Sequence, residues 1–470
     1  HDAVARGNGK VVHDLAEVDA MSIEVPAAAL AGLQRNPNIE YIEDDVERHA
    51  LALTTPSTGS PYHLGQLVPY GIKLVQADQL PDHFAANRTV CIIDSGYEAI
   101  HEDLAGNTVD GKNLTNSGKW YTDELAHGTH VGGTISAVNN GVGVVGVMPN
   151  KQISLYIAKV FDATNSARSS TINRAALDCS LAGANVVSMS LGGSDTSRTD
   201  QRVFQRLADK NILSIAAAGN DGDTTISYPG GYASVMAVAA IDENKQWANF
   251  SQYNATVAIA GPGVGVLSSV PMGTGRGTSL TVGGVTYTVL PMEGSPVKSV
   301  TAPLANFGLG TAVDPAMAGK VCLIQRGTIA FADKVLNCQN SGGVGAIVYN
   351  NTAGALNGTL GTTVTTIPSV GATQADGTAM LAQIGVPAAL AVTATNYAYY
   401  DGTSMATPHV SAVAALVWSY YPGCSAAQIR STLEKSALDI ADPGYDVKTG
   451  AGLVQAKAAY DRITQKGCSN

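Results

Sequence analysis

The chain has 470 residues, 45% of them apolar and 14% charged, and carries a net charge of −10. That balance describes a well-packed globular protein with room for two or three domains and excludes a disordered chain. With no basic cluster and no apolar run of membrane-spanning length, neither a nucleic-acid partner nor a membrane is expected.

The chain opens His-Asp-Ala-Val-Ala-Arg, with no signal-peptide pattern and no Met, which is expected of a processed, truncated or engineered start. Gly9–Val12, Ala20–Pro26 and Ile39–Asp45 read as short strands, and Ala27–Leu33 as a helix closing before Asn36-Pro37. From about Gln66 the pattern changes. Apolar strands at Thr89–Asp94, Ile153–Val160, Asn185–Met189, Ile212–Ala217 and Val235–Ala240 alternate with helices after His127, at Ser170–Leu181 and at Asp200–Lys210. Such alternation implies an α/β fold, a parallel sheet with helices on both faces. Residues 271–395 interrupt it with short strands rich in Gly, Thr, Val and Ala. The α/β pattern resumes at 396 and closes with helices at Pro408–Tyr420 and Ala426–Ser436. Six cysteines make an even count. Disulfides Cys322–Cys338 and Cys424–Cys468 are expected, and with them an oxidising compartment. Cys91 and Cys179 are open between a bridge and two buried thiols.

Four stretches carry chemistry. Gly402-Thr-Ser404-Met-Ala-Thr-Pro-His409 sets a serine just before a helix. A lone serine hydroxyl is a poor nucleophile; it needs a histidine to take its proton and a carboxylate to orient that histidine. Asp94-Ser-Gly ends an apolar strand, and His127-Gly-Thr-His opens a small-residue helix. Asp, His, Ser is one of the chain orders in which this triad occurs. Ala218-Gly-Asn220 ends another strand, where the Asn220 amide and the Ser404 N–H could hold an oxyanion. His409 reads as a packed core histidine, and Gly277-Thr-Ser279, lacking the Met-Ala continuation, as an ordinary loop.

Together with Ser188-Met-Ser-Leu-Gly-Gly193, these motifs resemble, in order and spacing, the subtilase family of serine endopeptidases. The resemblance implies a subtilisin-like fold and hydrolysis of protein and peptide substrates through Asp94, His127 and Ser404, with Asn220 at the oxyanion. It implies substrate strands paired with Asn165-Ser166-Ala167 and Ser190-Leu191-Gly192. A first specificity pocket would be walled by Ala217–Gly219 and Ser190–Gly192 and floored near Ser227. None of these residues is acidic, so an apolar or aromatic preference is expected over Lys or Arg. Residues 1–54 resemble the later part of the family's inhibitor propeptide, whose tail lies along the cleft; His49–Pro61 would be the tail and processing region. Lys320–Gly327, Phe331–Val335 and Gly342–Asn350 resemble an inserted protease-associated domain, which splits the catalytic domain into 55–270 and 396–470. Val138-Asn-Asn-Gly-Val-Gly-Val144 resembles a calcium loop. Its ligands would be the carbonyls of Val138, Val142 and Val144 with the side chains of Asn140, Asp103 and Gln66, an oxygen-only shell suited to Ca²⁺. A secreted, extracellular monomer of bacterial origin follows from the resemblance. Two rival readings are a latent zymogen or non-catalytic binder, and an esterase. The esterase elbow needs Gly-x-Ser-x-Gly, whereas Met-Ala follows Ser404.

Overall fold

The computed structural model describes all residues except 51–52, 55–60, 63–65, 353–355, 357, 362 and 470. The chain divides into two compact units, one of residues 1–54, 58–271 and 399–470, the other built on 272–398. The expected processing region, His49–Pro61, lies largely outside the described residues.

The first unit opens with a small α+β module. It comprises α1 (Asp2–Arg6), β1 (Lys10–Leu15), β2 (Ala20–Glu24), α2 (Ala27–Leu33) and β3 (Glu47–Ala50), with β1 and β2 antiparallel. The expected strand over Ile39–Asp45 does not form; regular structure begins only at Glu47. Its β-forming residues are overruled by its acids, which are drawn to the ends of two helices further along the chain.

Seven parallel strands form the central sheet: β4 (Thr89–Asp94), β5 (Thr108–Asn113), β6 (Ser154–Lys159), β7 (Val186–Met189), β8 (Leu213–Ala217), β9 (Val235–Ile241) and β10 (Val257–Pro262). Their order is β10-β9-β8-β7-β4-β6-β5. A strand covered on both faces must be apolar at successive positions. In β4, Val90 and Ile92 face one core while Cys91 and Ile93 face the other. The first core receives α3 (His127–Ser136), α6 (Thr403–Tyr420), α7 (Ala426–Ser436) and α8 (Ala456–Lys466); the second receives α4 (Ser169–Leu181) and α5 (Arg198–Asp209). Cys91 and Cys179 are bridged, tying β4 to α4, and Cys424–Cys468 closes the C-terminal helices.

Helix α6 is longer than its sequence suggests. It starts at Thr403, so Pro408 lies inside it, and it is buried from Thr403 through Ser419. Small residues let α3 and α6 pack tightly against each other and the sheet. Among the described residues, no helix is long and apolar enough to cross a membrane.

The second unit carries its own eight-stranded mixed sheet and two helices, Phe331–Asn340 and Gln374–Leu381. Cys322–Cys338 ties the strand Val321–Gln325 to the first of these helices. Gly277-Thr-Ser279 lies within the strand Gly275–Val282 rather than in a loop.

His409 is wholly buried in α6, its Nδ1 donating to the Met405 carbonyl at 2.8 Å, and burial lowers its pKa to about 4. An unfolded histidine titrates near 6.5, so below that pH the unfolded chain takes a proton that the native one refuses. Stability should therefore fall as pH drops from about 6.5 to about 4 and then level off, with His409 contributing about 3 kcal/mol to the loss. Denaturant unfolding at pH 7 and pH 4 should show a smaller acid loss in His409→Gln; an equal loss refutes the assignment.

Candidate active site

In a parallel sheet the carboxyl ends of neighbouring strands lie abreast, and loops and helix starts gather there. Here β8, β7 and β4 are consecutive neighbours. Asp94 ends β4, Ser190 follows β7, and Gly219 and Asn220 follow β8. Helices α3 and α6 bring His127 and Ser404 to the same edge.

Asp94 is fully buried, and its Oδ1 accepts from His127 Nδ1 at 2.7 Å and from the Ser95 N–H at 2.7 Å. A carboxylate holding Nδ1–H leaves Nε2 as the basic nitrogen of the ring. Ser95 and Asp123 fix the start of α3. The Ser95 hydroxyl accepts from the Gly128 N–H at 2.9 Å and donates to Asp123 Oδ1 at 2.8 Å. Asp123 Oδ2 accepts from the Thr129 N–H and hydroxyl, each at 2.7 Å. Neither residue is marked by a sequence signal, since Asp123 lies three residues before the N-cap position, Ala126, where an acid would announce a helix start.

Ser404 is the second residue of α6 and fully buried. Gly402, just before the helix, has φ +146°, a conformation that side chains disfavour. The Ser404 hydroxyl donates to the Ser190 carbonyl at 2.9 Å. Pro408, having no N–H, cannot supply the helical bond to the Ser404 carbonyl. The Ser190 hydroxyl takes its place at 2.7 Å.

Asn220 is anchored by its oxygen. Oδ1 accepts from the Thr403 N–H at 2.9 Å and the Thr403 hydroxyl at 2.8 Å, which makes the amide nitrogen the donor end. Thr403 Oγ1 also accepts from the Gly219 N–H at 3.2 Å. Gly219 has φ +109°, and a Cβ there would meet Gln252 Oε1 at 1.3 Å. Thr403 thus joins the serine helix to the asparagine corner, a role with no motif of its own.

The remaining candidate residues fall into three places. Ala217 ends β8 and is buried, and Ser227 is buried beside the backbone pair Gly193–Tyr228. Ala167–Arg168 and Leu191–Gly192 flank β3, which pairs antiparallel with both. Asn165 and Ser166 precede the first of these segments; Asn165 Oδ1 accepts from the Ala50 N–H at 3.2 Å. The slot expected for a substrate strand therefore holds this chain's own residues 47–50.

At the third place, Gln66 Nε2 donates to the carbonyls of Val138 at 2.9 Å and Val144 at 3.0 Å and lies 3.5 Å from Asn140 Oδ1. Asp103 Oδ1 accepts from Asn140 Nδ2 at 3.0 Å, and Oδ2 from the Val144 N–H at 2.7 Å. Val142 is half exposed at the loop's tip. Three oxygens converging on one amide make a cation-shaped nest. Turning the Gln66 amide over would add Oε1 to it. Among the described residues, no group of three or more His, Cys, Asp or Glu could hold a metal ion. An ion here would rest on carbonyls, amide oxygens and the single carboxylate of Asp103. That donor set fits Ca²⁺.

A family model described as the subtilase family matches residues 85–289 and 340–452, and one described as the PA domain matches residues 298–380. Subtilisin E of Bacillus subtilis (strain 168) is 34% identical over 280 residues, 58% of this chain and 69% of that protein. Subtilisin DY of Bacillus licheniformis is 40% identical over 215 residues, 44% of this chain and 77% of that protein. The crystal structure of the psychrophilic subtilisin-like protease Apa1, from the Antarctic psychrotroph Pseudoalteromonas sp. AS-11, is 40% identical with a TM-score of 0.68. It covers 86% of this chain and 99% of its own.

The Ser190–Ser404 bridge predicts a double-mutant cycle. Ser190→Ala leaves a buried carbonyl unsatisfied and should lower the unfolding free energy by about 1–3 kcal/mol. Adding Pro408→Ala restores a helical N–H and should recover part of that loss in denaturant unfolding; strict additivity of the two changes would sink the account.

Proposed function

Because this chain belongs to the subtilase family, and is thus a serine peptidase with an inserted PA domain, we propose that it is an endopeptidase acting through Asp94, His127 and Ser404. What carries this reading is the 2.7 Å bond from His127 Nδ1 to buried Asp94, on the sheet edge that also bears Ser190 and Asn220. Asp94 holds the imidazole in one tautomer and stabilises the cation it becomes. The Ser404 hydroxyl turns from the Ser190 carbonyl to give its proton to His127 Nε2 as Oγ attacks the peptide carbonyl. The Asn220 amide and the Ser404 N–H receive the negative charge. His127 then protonates the departing amine, and water, activated by the same histidine, hydrolyses the acyl-enzyme. The uncharged walls Ala217–Gly219 and Ser190–Gly192, with Ser227, suit an apolar or aromatic residue before the cut. Three disulfides suit a secreted bacterial enzyme in an oxidising medium.

The chain as it stands is a latent precursor on this reading, because β3 occupies the substrate slot. Residues 1–54 act as an inhibitor that the enzyme removes. The module is held by discrete contacts. Glu43 accepts from the Ser197 hydroxyl and the Arg198 and Thr199 N–H groups at 2.8–2.9 Å, and Asp45 accepts from the Ser170 N–H at 2.8 Å. Each acid caps a helix N-terminus, where negative charge is favoured. A cavity of about 1880 Å³ opens between the module and the face of α4 and α5, so the interface is incompletely packed and suited to release.

Ser404→Ala should lower kcat/KM on casein-derived peptides by roughly three orders of magnitude or more. The same variant should keep its N-terminal segment in a mass spectrum, while the parent chain loses it by a cut within residues 51–60. Full activity in the variant refutes the assignment.

Calcium would be held by Gln66, Asp103, Asn140 and the carbonyls of Val138, Val142 and Val144, and would cross-link this loop to the body of the fold. At a free Ca²⁺ of 100 times its Kd, stability should rise by about 2.7 kcal/mol. A chelator should lower the unfolding midpoint of the parent chain, and Asp103→Asn should abolish most of that difference.

A further inference from the structure

Side chains alternate along a strand, and in β3 Glu47 and His49 are exposed while Arg48 turns inward. The inward one is the surprise. Arg48 is 1% exposed, and so long a cation is almost never buried without a partner. Its Nη2 donates to Asp200 Oδ2 at 2.9 Å and to the Asp195 carbonyl at 2.8 Å, while Nη1 donates to the Glu47 carbonyl at 3.1 Å. The Asp200 side chain is 4% exposed. Its other oxygen accepts from Asn173 Nδ2 at 2.9 Å, and its N–H donates to the helix-capping Ser197 hydroxyl at 3.1 Å. The acid is thus built into the start of α5, with Oδ1 held by Asn173 and Oδ2 turned to the slot. Gly193 keeps the wall low, because a Cβ there would meet the Glu47 carbonyl at 2.9 Å and Arg48 Nη1 at 3.3 Å.

When β3 leaves, the Asp200 carboxylate loses its cation. A buried charge without a partner is costly, so the pocket favours whichever incoming peptide restores one. The slot that held β3 is the one a substrate strand would enter, so the same pocket meets substrate. We infer that Asp200 makes this subsite select arginine in substrates, three residues before the residue that faces Ser190. The register fixes that distance: Arg48 pairs with Ala167 and Ala50 with Leu191, so the next residue of any strand in the slot faces Ser190. With the cut after that residue, the arginine is fourth counting back from the scissile bond. The selectivity lies outside the first pocket, whose walls carry no acid. Lysine fits less well, since the planar guanidinium directs Nη2 at both the Asp200 carboxylate and the Asp195 carbonyl while Nη1 is held by the strand's own carbonyl. The inference rests on the endopeptidase reading above and names one of its specificity determinants.

The test uses the full chain after self-processing and three fluorogenic peptides that differ only at that fourth position, carrying Arg, Leu or Glu. The expected kcat/KM is about tenfold higher for Arg than for Leu, with Glu lowest. In Asp200→Asn the Arg-to-Leu ratio should fall toward one. The comparison of peptides on the parent enzyme stands even where the variant folds poorly. Equal or better cleavage of the Leu peptide by the parent enzyme overturns the inference and leaves the endopeptidase reading intact, as does an unchanged ratio in a folded Asp200→Asn. Failure to cleave any of the three overturns both.

Discussion

The carbonyl of Ser404 has no helical donor, because Pro408 stands where one would be, and the Ser190 hydroxyl supplies the bond instead. That one exchange couples the buried helix α6 to the end of β7. The return contact, from the Ser404 hydroxyl to the Ser190 carbonyl, makes the joint reciprocal. A second joint one residue earlier binds Thr403 to Asn220. Two successive residues of α6 are thereby fixed to the ends of two adjacent strands. The parallel sheet sets the spacing of those ends, and the helix cannot shift without breaking buried hydrogen bonds. Preorganisation here comes from the joints rather than from any property of serine.

The same sheet edge explains why the N-terminal segment fits where it does. The segments Ala167–Arg168 and Leu191–Gly192 offer backbone edges with a gap one strand wide, and β3 fills it with main-chain pairs that any sequence could make. Specific docking comes from elsewhere. Glu43 and Asp45 sit at two helix starts, and Tyr41 lies under the guanidinium of Arg198 at 4.1 Å from its ring centre. Around an open cavity these polar contacts are joined by an apolar one: Leu15 is buried in the cluster formed by α4 and α5, with Val18 and Ala20 packed against it.

Much of this was legible from sequence because the site residues sit next to glycines and strand ends whose physics is local. Apolar runs ending in Asp94 and near Asn220 announce buried parallel strands, and the helix that His127 opens is marked by small residues. What was not legible depended on distant partners. Tyr41-Ile-Glu-Asp-Asp45 has strand-like residues, but the helix starts that attract its acids lie far along the chain. Pro408 reads as a first-turn proline, because only the hydroxyl of Ser190, more than two hundred residues earlier, makes it tolerable inside the helix. The Cys91–Cys179 bridge was undecidable because it needs α4 to lie over β4, a fact of packing. Asp200 reads from sequence only as the start of a helix, and its pairing with Arg48 appears only with β3 laid in the slot.

That last residue shows how a scaffold with unselective main-chain recognition can acquire a preference. Backbone pairing sets affinity and register, and each inward side chain then meets one pocket. The walls nearest Ser404 stay uncharged, so they add no demand for a cation beside the cut. Placing a carboxylate beyond them, on the rigid first turn of α5 and braced by Asn173, separates the choice of peptide from the chemistry on it. The Asp200 carboxylate is held by Arg48 and Asn173 and shares none of the hydrogen bonds of the Asp94–His127 pair. An arginine in the chain's own β3 then serves two ends. It neutralises Asp200 in the folded chain, and on the proposed reading it carries the side chain that the emptied subsite would select in a substrate.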